Sequence, residues 1–338
     1  MSKNIVICLD GTWNKPDEAD AEKEKDTNVR NLYELCVNNA TEQVAYYDEG
    51  VGSHWYDRIR GGVSGRGLSK NIREGYYEIA KQYNPGDRLF VFGFSRGAYT
   101  ARSLAGMIYS CGLIEPDKLT DKTIETAFDV YKKGDKEERN HYKRSNIQCP
   151  IHMIGVWDTV GALGIPIPFL KKFTNKFLQF HDTVLNKETK SAFHAIAIDE
   201  QRETFRPALW DVTKKNEGQI VEQVWFAGVH SDIGGGYPER HHSDIVFKWM
   251  LDKAIKQKLK IKEDHGYTFK ADVTKDIHDS YKIYYGPKER RVATISEFYT
   301  PKVHKSIKEK INKKPDYNPL ALVDREDNNS LEPYDIVD

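Results

Sequence analysis

The sequence predicts an α/β chain built on a mainly parallel central sheet with helices on both faces. Short apolar runs of β-forming residues recur at 5–9, 44–47, 89–94, 151–157 and 223–229. Their hydrophobicity is continuous rather than alternating, the pattern of strands buried on both faces. Helix-like segments at 28–37, 68–83 and 98–111 lie between them. Strand and helix alternating in this way give a parallel sheet whose ligands gather at the carboxyl ends of the strands.

Composition sets limits on function. The 338 residues are 39% hydrophobic and 30% charged, the make-up of a folded globular chain rather than a disordered one. With 51 Lys+Arg against 51 Asp+Glu, no bulk field exists to hold nucleic acid or an anionic membrane. The apolar runs are far shorter than the roughly 20 residues that cross a bilayer, so no transmembrane segment is expected. The opening MSKNIVICLDGTWN lacks the apolar core and cleavage site of a signal peptide. The chain is therefore expected to be cytoplasmic as synthesised, with any delivery elsewhere not encoded by a signal peptide. Cys8, Cys36, Cys111 and Cys149 are widely spaced without a CxxC pair, so free thiols are expected rather than zinc ligands or disulfides.

The strongest local signal is the run RLFVFGFSRGAYTAR at 88–102, a buried strand passing through G-x-S-x-G into a helix. In that context Ser95 occupies a tight strand-to-helix turn, with Gly93 and Gly97 where a side chain would clash with crowded backbone. The following helix points its first N–H groups at the serine, favouring negative charge there. These features make Ser95 the candidate nucleophile.

A serine nucleophile needs a histidine and an orienting carboxylate, which in strand–turn–helix enzymes follow it as acid, then histidine. IHMIGVWDTVG places Asp158 where an apolar strand breaks into a loop, and QVWFAGVHSDIGGGY does the same for His230. For the acid, Asp158 is preferred over Asp48, Asp199 and Asp232; Asp232 is expected instead to fix the glycine-rich loop through backbone N–H groups. Of the remaining histidines, His141, His265, His278 and His304 fall in charged stretches expected to be exposed, and His152 inside a strand. His241 and His242 fall in a polar loop. His54 and His181 remain candidates for substrate contact. One oxyanion donor is expected at the Arg96 amide, directly after the nucleophile. A second is expected from the strand-end loop LDGTWN, at Gly11 and Thr12 beside Asp10, where glycine permits close backbone approach.

Taken together, LDGTWN, GFSRGAYTAR, GVWDTVGALG, FHAIAIDEQRETFRPALW and WFAGVHSDIGGGY resemble the bacterial and fungal α/β-hydrolase family that includes the phospholipase effectors of type VI secretion. The resemblance spans roughly residues 3–240. It implies an α/β-hydrolase fold, a Ser95–Asp158–His230 triad and hydrolysis of phospholipid acyl esters. The larger effectors carry an added membrane-anchoring module, for which this chain leaves little room.

The expected organisation is one α/β-hydrolase catalytic domain over 1–300, with a lid-like insertion at about 161–193, and a helical C-terminal extension at 301–338 ending in a partly flexible acidic tail. A further helix is expected at about 243–258. The insertion spaces Phe169, Phe173, Phe177 and Phe180 along one helical face with Lys171, Lys172 and Lys176 around it. Such a helix either forms a lid and peripheral membrane contact or packs its aromatics on the core. The basic, glycine-rich stretch 58–73 reads as a flexible loop, with phosphate binding as the alternative. The expected function is cleavage of carboxylic esters, lipid or phospholipid, without metal or organic cofactor. The alternatives are a soluble small-substrate esterase or thioesterase and a non-catalytic interaction protein on the same scaffold.

Overall fold

The computed structural model describes residues 2–11, 26–50, 65–160, 185–202, 205–280, 296, 299–327 and 330–338. Strand and helix alternate through β1 (Asn4–Leu9), α1 (Asn28–Leu35), β2 (Gln43–Asp48), α2 (Gly65–Ala80), β3 (Arg88–Phe94) and α3 (Arg96–Cys111). Two outer helices follow, α4 (Asp121–Lys133) and α5 (Lys136–Arg144), then β4 (Ile151–Trp157) and β5 (Ser191–Ala197). The rest comprises β6 (Ile220–Phe226), the short α6 (His230–Gly234), α7 (His241–Lys256), β7 (Lys302–His304), α8 (Lys305–Lys313) and β8 (Asp335–Val337).

The strands form one parallel sheet in the order β2-β1-β3-β4-β5-β6-β7-β8. The chain leaves β1 for a neighbour on one side and returns to the other side for β3. The carboxyl ends of β1 and β3 thus flank the crevice in which open α/β sheets bind ligands. Register keeps the strand ends level: Leu9 lies opposite Gly93, Phe94 opposite Trp157, and Trp157 opposite Ala195. Asp10, Ser95 and Asp158 therefore leave the sheet side by side.

The two-residue period of each strand divides its side chains between two covered faces. Ile5, Ile7 and Leu9 pack with α2, α3 and α4, while Val6 and Cys8 join Phe90 and Phe92 against α1 and α7. Full burial of a phenylalanine contributes up to about 3 kcal/mol, so this double coverage anchors the strands that carry the site. A third cluster joins Ile196 and Trp225 to Val303, Ile307, Leu331 and Tyr334.

That cluster accounts for the main difference from expectation. The segment beyond 300, expected as a helical extension with a partly flexible tail, contributes β7 and β8 to the same sheet and packs α8 into the third cluster. Its apolar residues are sparse among lysines and acids, but sparse residues suffice where they only need to cover the sheet's end. β5, small and alanine-rich, falls partly within the expected insertion. The helix expected near 243–258 begins two residues earlier and takes in His241 and His242.

Candidate active site

Ser95 sits at a strained backbone position, φ 57 and ψ −118, between the last residue of β3 and the first of α3. A non-glycine residue held there costs on the order of 1–3 kcal/mol, so its surroundings must fix it. They do so by close approach. A Cβ on Gly93 would lie 2.4 Å from the Gly97 carbonyl oxygen, and one on Gly97 would lie 2.1 Å from the Leu9 carbonyl oxygen. The Ser95 N–H donates to the Trp157 carbonyl at 3.0 Å, tying the turn to β4.

His230 opens α6 just beyond β6, and its Nε2 lies 2.8 Å from Ser95 Oγ. Its Nδ1 lies 2.6 Å from Asp158 Oδ2. Asp158 is fully buried at φ 38; its Oδ1 accepts the Ala197 N–H at 3.0 Å, and its own N–H donates to the Ala195 carbonyl. The imidazole packs against Phe94, centroids 4.6 Å apart, and Phe205, in a T-shaped pair at 4.8 Å. Burial lowers the proton affinity of His230, opposed by Asp158, and the net shift is downward. A neutral ring with Nδ1–H held by a carboxylate leaves Nε2 as an acceptor facing a hydroxyl. This arrangement can withdraw the serine proton as the oxygen attacks an electrophile.

The other candidates occupy distinct places. Asp10 Oδ1 accepts the Gly11 N–H at 2.7 Å, and Oδ2 accepts the hydroxyls of Thr27 and Tyr47. Burial pushes the Asp10 carboxyl up to about 6 against those bonds. Gly11 does approach Ser95 closely, since a Cβ on it would lie 3.2 Å from Ser95 Cβ. Its amide is nonetheless directed to Asp10 in this conformation. Arg96 begins α3 beside the serine. Thr12, Phe169, Phe173, Phe177, Phe180, His54 and His181 lie outside the described residues, as does the glycine-rich stretch through 64.

Asp232 accepts the Val229 N–H at 3.1 Å and the His278 N–H at 3.3 Å, a loop-fixing arrangement. Asp48 bonds the Gly50 amide and Asn71, and Asp199 bonds the Gly228 amide and Tyr317. Two histidines expected in the open are docked instead. His278 reaches Asp232 Oδ1 at 2.6 Å and stacks on Tyr237, while His304 caps α8 and stacks on Phe226. Sequence reasoning assigned no role to Glu200 and Arg202, an ion pair that abuts His230. The only signal was charge inside FHAIAIDEQRETF, at a strand end. Among the described residues, no group of three His, Cys, Asp or Glu side chains is placed to hold a metal ion.

The family model for the type VI secretion system phospholipase effector Tle1-like catalytic domain matches residues 3–253. The uncharacterized protein YEL023C of Saccharomyces cerevisiae is 28% identical over 234 residues, 60% of this chain and 32% of that protein. An uncharacterized protein from Pseudomonas aeruginosa superposes with a TM-score of 0.50 at 17% identity, over 77% of this chain and 46% of its own. A Tle1 effector, solved bound to the VgrG spike of the type 6 secretion system, gives a TM-score of 0.43 at 20% identity, over 70% of this chain and 51% of its own. The chain spans about a third of the yeast protein and about half of each solved one. The parallel sheet with helices on both faces is an α/β-hydrolase fold, and the chain belongs to the family of Tle1-like phospholipase effectors of type VI secretion through their catalytic domain.

Proposed function

We propose that the chain is a serine hydrolase of carboxylic esters, acting on lipid or phospholipid acyl chains through Ser95, His230 and Asp158. The observation that carries the reading is the continuous hydrogen-bonded path from Ser95 Oγ through His230 to Asp158 at the carboxyl edge of the sheet. Membership of a phospholipase effector family supports the lipid ester as substrate.

In the proposed reaction His230 Nε2 takes the Ser95 proton as Oγ attacks the acyl carbonyl carbon. Asp158 holds the imidazole in the tautomer with Nδ1–H and stabilises the imidazolium that forms. The Arg96 amide, at the positive end of α3, donates to the oxyanion. A second donation from Gly11 requires its N–H to leave Asp10. His230 then protonates the departing alcohol, and water, deprotonated by His230, releases the carboxylic acid from Ser95.

The test is fatty-acid release from phospholipid vesicles and mixed micelles. Ser95→Ala should lower release by at least about a thousandfold while leaving the folded protein intact. Equal release from both proteins would remove Ser95 from the reaction. A chain-length series of nitrophenyl esters, spanning micelle formation, separates a lipid hydrolase from a small-substrate esterase: activity should rise with long chains at the micelle threshold.

A further inference from the structure

His230 is held from behind by a second carboxylate that the proposed triad does not use. Glu200 lies just past β5 with its side chain wholly buried, and its Oε2 accepts the His230 backbone N–H at 3.2 Å. The Ser280 hydroxyl donates to the same oxygen at 3.1 Å. Arg202 grips both carboxylate oxygens, Nε to Oε1 at 2.8 Å and Nη2 to Oε2 at 2.8 Å, and its backbone N–H also donates to Oε1. The guanidinium lies 3.6 Å above the Phe205 ring, which in turn makes a T-shaped contact with the His230 imidazole. Carboxylate, guanidinium and aromatic ring are thus linked into one bracket on His230, the carboxylate at its backbone and the ring at its imidazole, built from residues that supply no member of the triad.

We propose that Glu200, kept in place by Arg202, is a positioning residue for His230, fixing its backbone and stabilising its protonated ring during turnover. The inference rests on the reading of His230 as the base. The geometry gives Glu200 two ways to act. Its bond to the His230 amide pins the first residue of α6, and so the reach of Nε2 to Ser95. Its negative charge favours the imidazolium more than the Arg202 charge disfavours it. Among the described residues, the charged groups that bear most on His230 are Asp158, Glu200 and Arg202.

The adjacent residue shows what Arg202 contributes. Asp199, buried and bonded to the Gly228 amide and the Tyr317 hydroxyl, is pushed up to about 7 by burial. Burial also raises Glu200, but the Arg202 hydrogen bonds and charge outweigh it and hold the carboxyl at about 2. Glu200 therefore stays ionised wherever a neutral histidine can serve as base. Two charge-bearing carboxylates, Asp158 at Nδ1 and Glu200 at the backbone, then face a ring that must accept a proton inside an apolar pocket.

The test uses the full chain, a soluble nitrophenyl ester and kcat and KM measured across pH. Glu200→Gln keeps an oxygen to accept the His230 N–H but removes the charge. Its kcat should fall about tenfold, the difference between a charge-assisted and a neutral hydrogen bond, with KM within about twofold. The ascending limb of kcat/KM, which reports deprotonation of His230, should move to lower pH. Glu200→Asp, which restores the charge, should return the limb toward its wild-type position. A Glu200→Gln enzyme with wild-type kcat and pH limb would overturn the inference. If Glu200→Gln does not fold, Arg202→Lys decides: it retains the cation without the two-point grip, and kcat should drop several-fold with the limb in place, whereas unchanged kcat counts against the proposal. Ser95→Ala runs alongside. Activity surviving in Ser95→Ala would defeat the reading of the site itself, a different outcome from an inert Glu200 beside an essential Ser95.

Discussion

The loops after β4 and β5 look alike in sequence and behave differently in space. Each follows a buried parallel strand and presents an aspartate at the carboxyl edge of the sheet, Asp158 after Trp157 and Asp199 two residues after Ala197. Asp158 adopts φ 38, a conformation that most side chains avoid, and so turns its carboxylate to His230 at 2.6 Å. Asp199 turns the other way, accepting the Gly228 N–H at 2.7 Å and the Tyr317 hydroxyl at 2.8 Å. A strand end brings an acid near a site; backbone conformation and the partners offered decide what that acid can do.

The sharpest way to break this comparison is to neutralise each aspartate in turn. Asp158→Asn should depress kcat by about four orders of magnitude, because the imidazole loses the acceptor that fixes its tautomer. Asp199→Asn should leave kcat within about threefold. Comparable losses from both, measured on the same ester, would show that the two loops share one function.

A smaller contrast lies in stability against pH. The Asp199 carboxyl, at about 7, sits above its unfolded value of 3.8, so the folded state holds a proton that the unfolded state releases. Its contribution is fully present below about pH 4 and is lost as pH rises through about 7, on the order of 4 kcal/mol at most. Asp10, at about 6, acts in the same direction. Glu200, at about 2 against 4.5, does the reverse: its contribution is present above the unfolded value and is lost as pH falls toward 2. Melting temperatures across pH should therefore show Asp199→Asn flattening the neutral-side decline and Glu200→Gln removing part of the acid-side one. A neutral-side profile unchanged by Asp199→Asn would contradict the assignment for that loop.

The differing fates of these loops also mark what a sequence can disclose. The buried strands 5–9, 89–94 and 151–157 were legible because continuous apolar runs have one physical use in a chain of this composition. Ser95 was legible because two glycines flank it at the spacing a close backbone approach demands, and His230 and Asp158 because each ends such a strand in the required order. The side chains so named meet in the structure; their chemistry is the proposal above. What escaped depends on partners remote in the chain. His278 reads as a charged surface residue until Asp232, 46 residues away, comes to meet it. Glu200 and Arg202 carry no signal of a role until the fold brings the His230 amide onto the carboxylate. β5 was hidden by alanines whose small side chains suit a strand pressed by helices, and β7 and β8 by having only three residues each.

The most direct test of the account is to find the covalent bond it requires. Wild-type protein, Ser95→Ala and Asp158→Asn are treated with a fluorophosphonate and digested, and the modified residue is located by mass spectrometry. The account predicts a single stoichiometric adduct on Ser95 in the wild type, none in Ser95→Ala, and slow labelling of the same residue in Asp158→Asn. An adduct on any other residue, or folded wild-type protein that remains unlabelled, would contradict it.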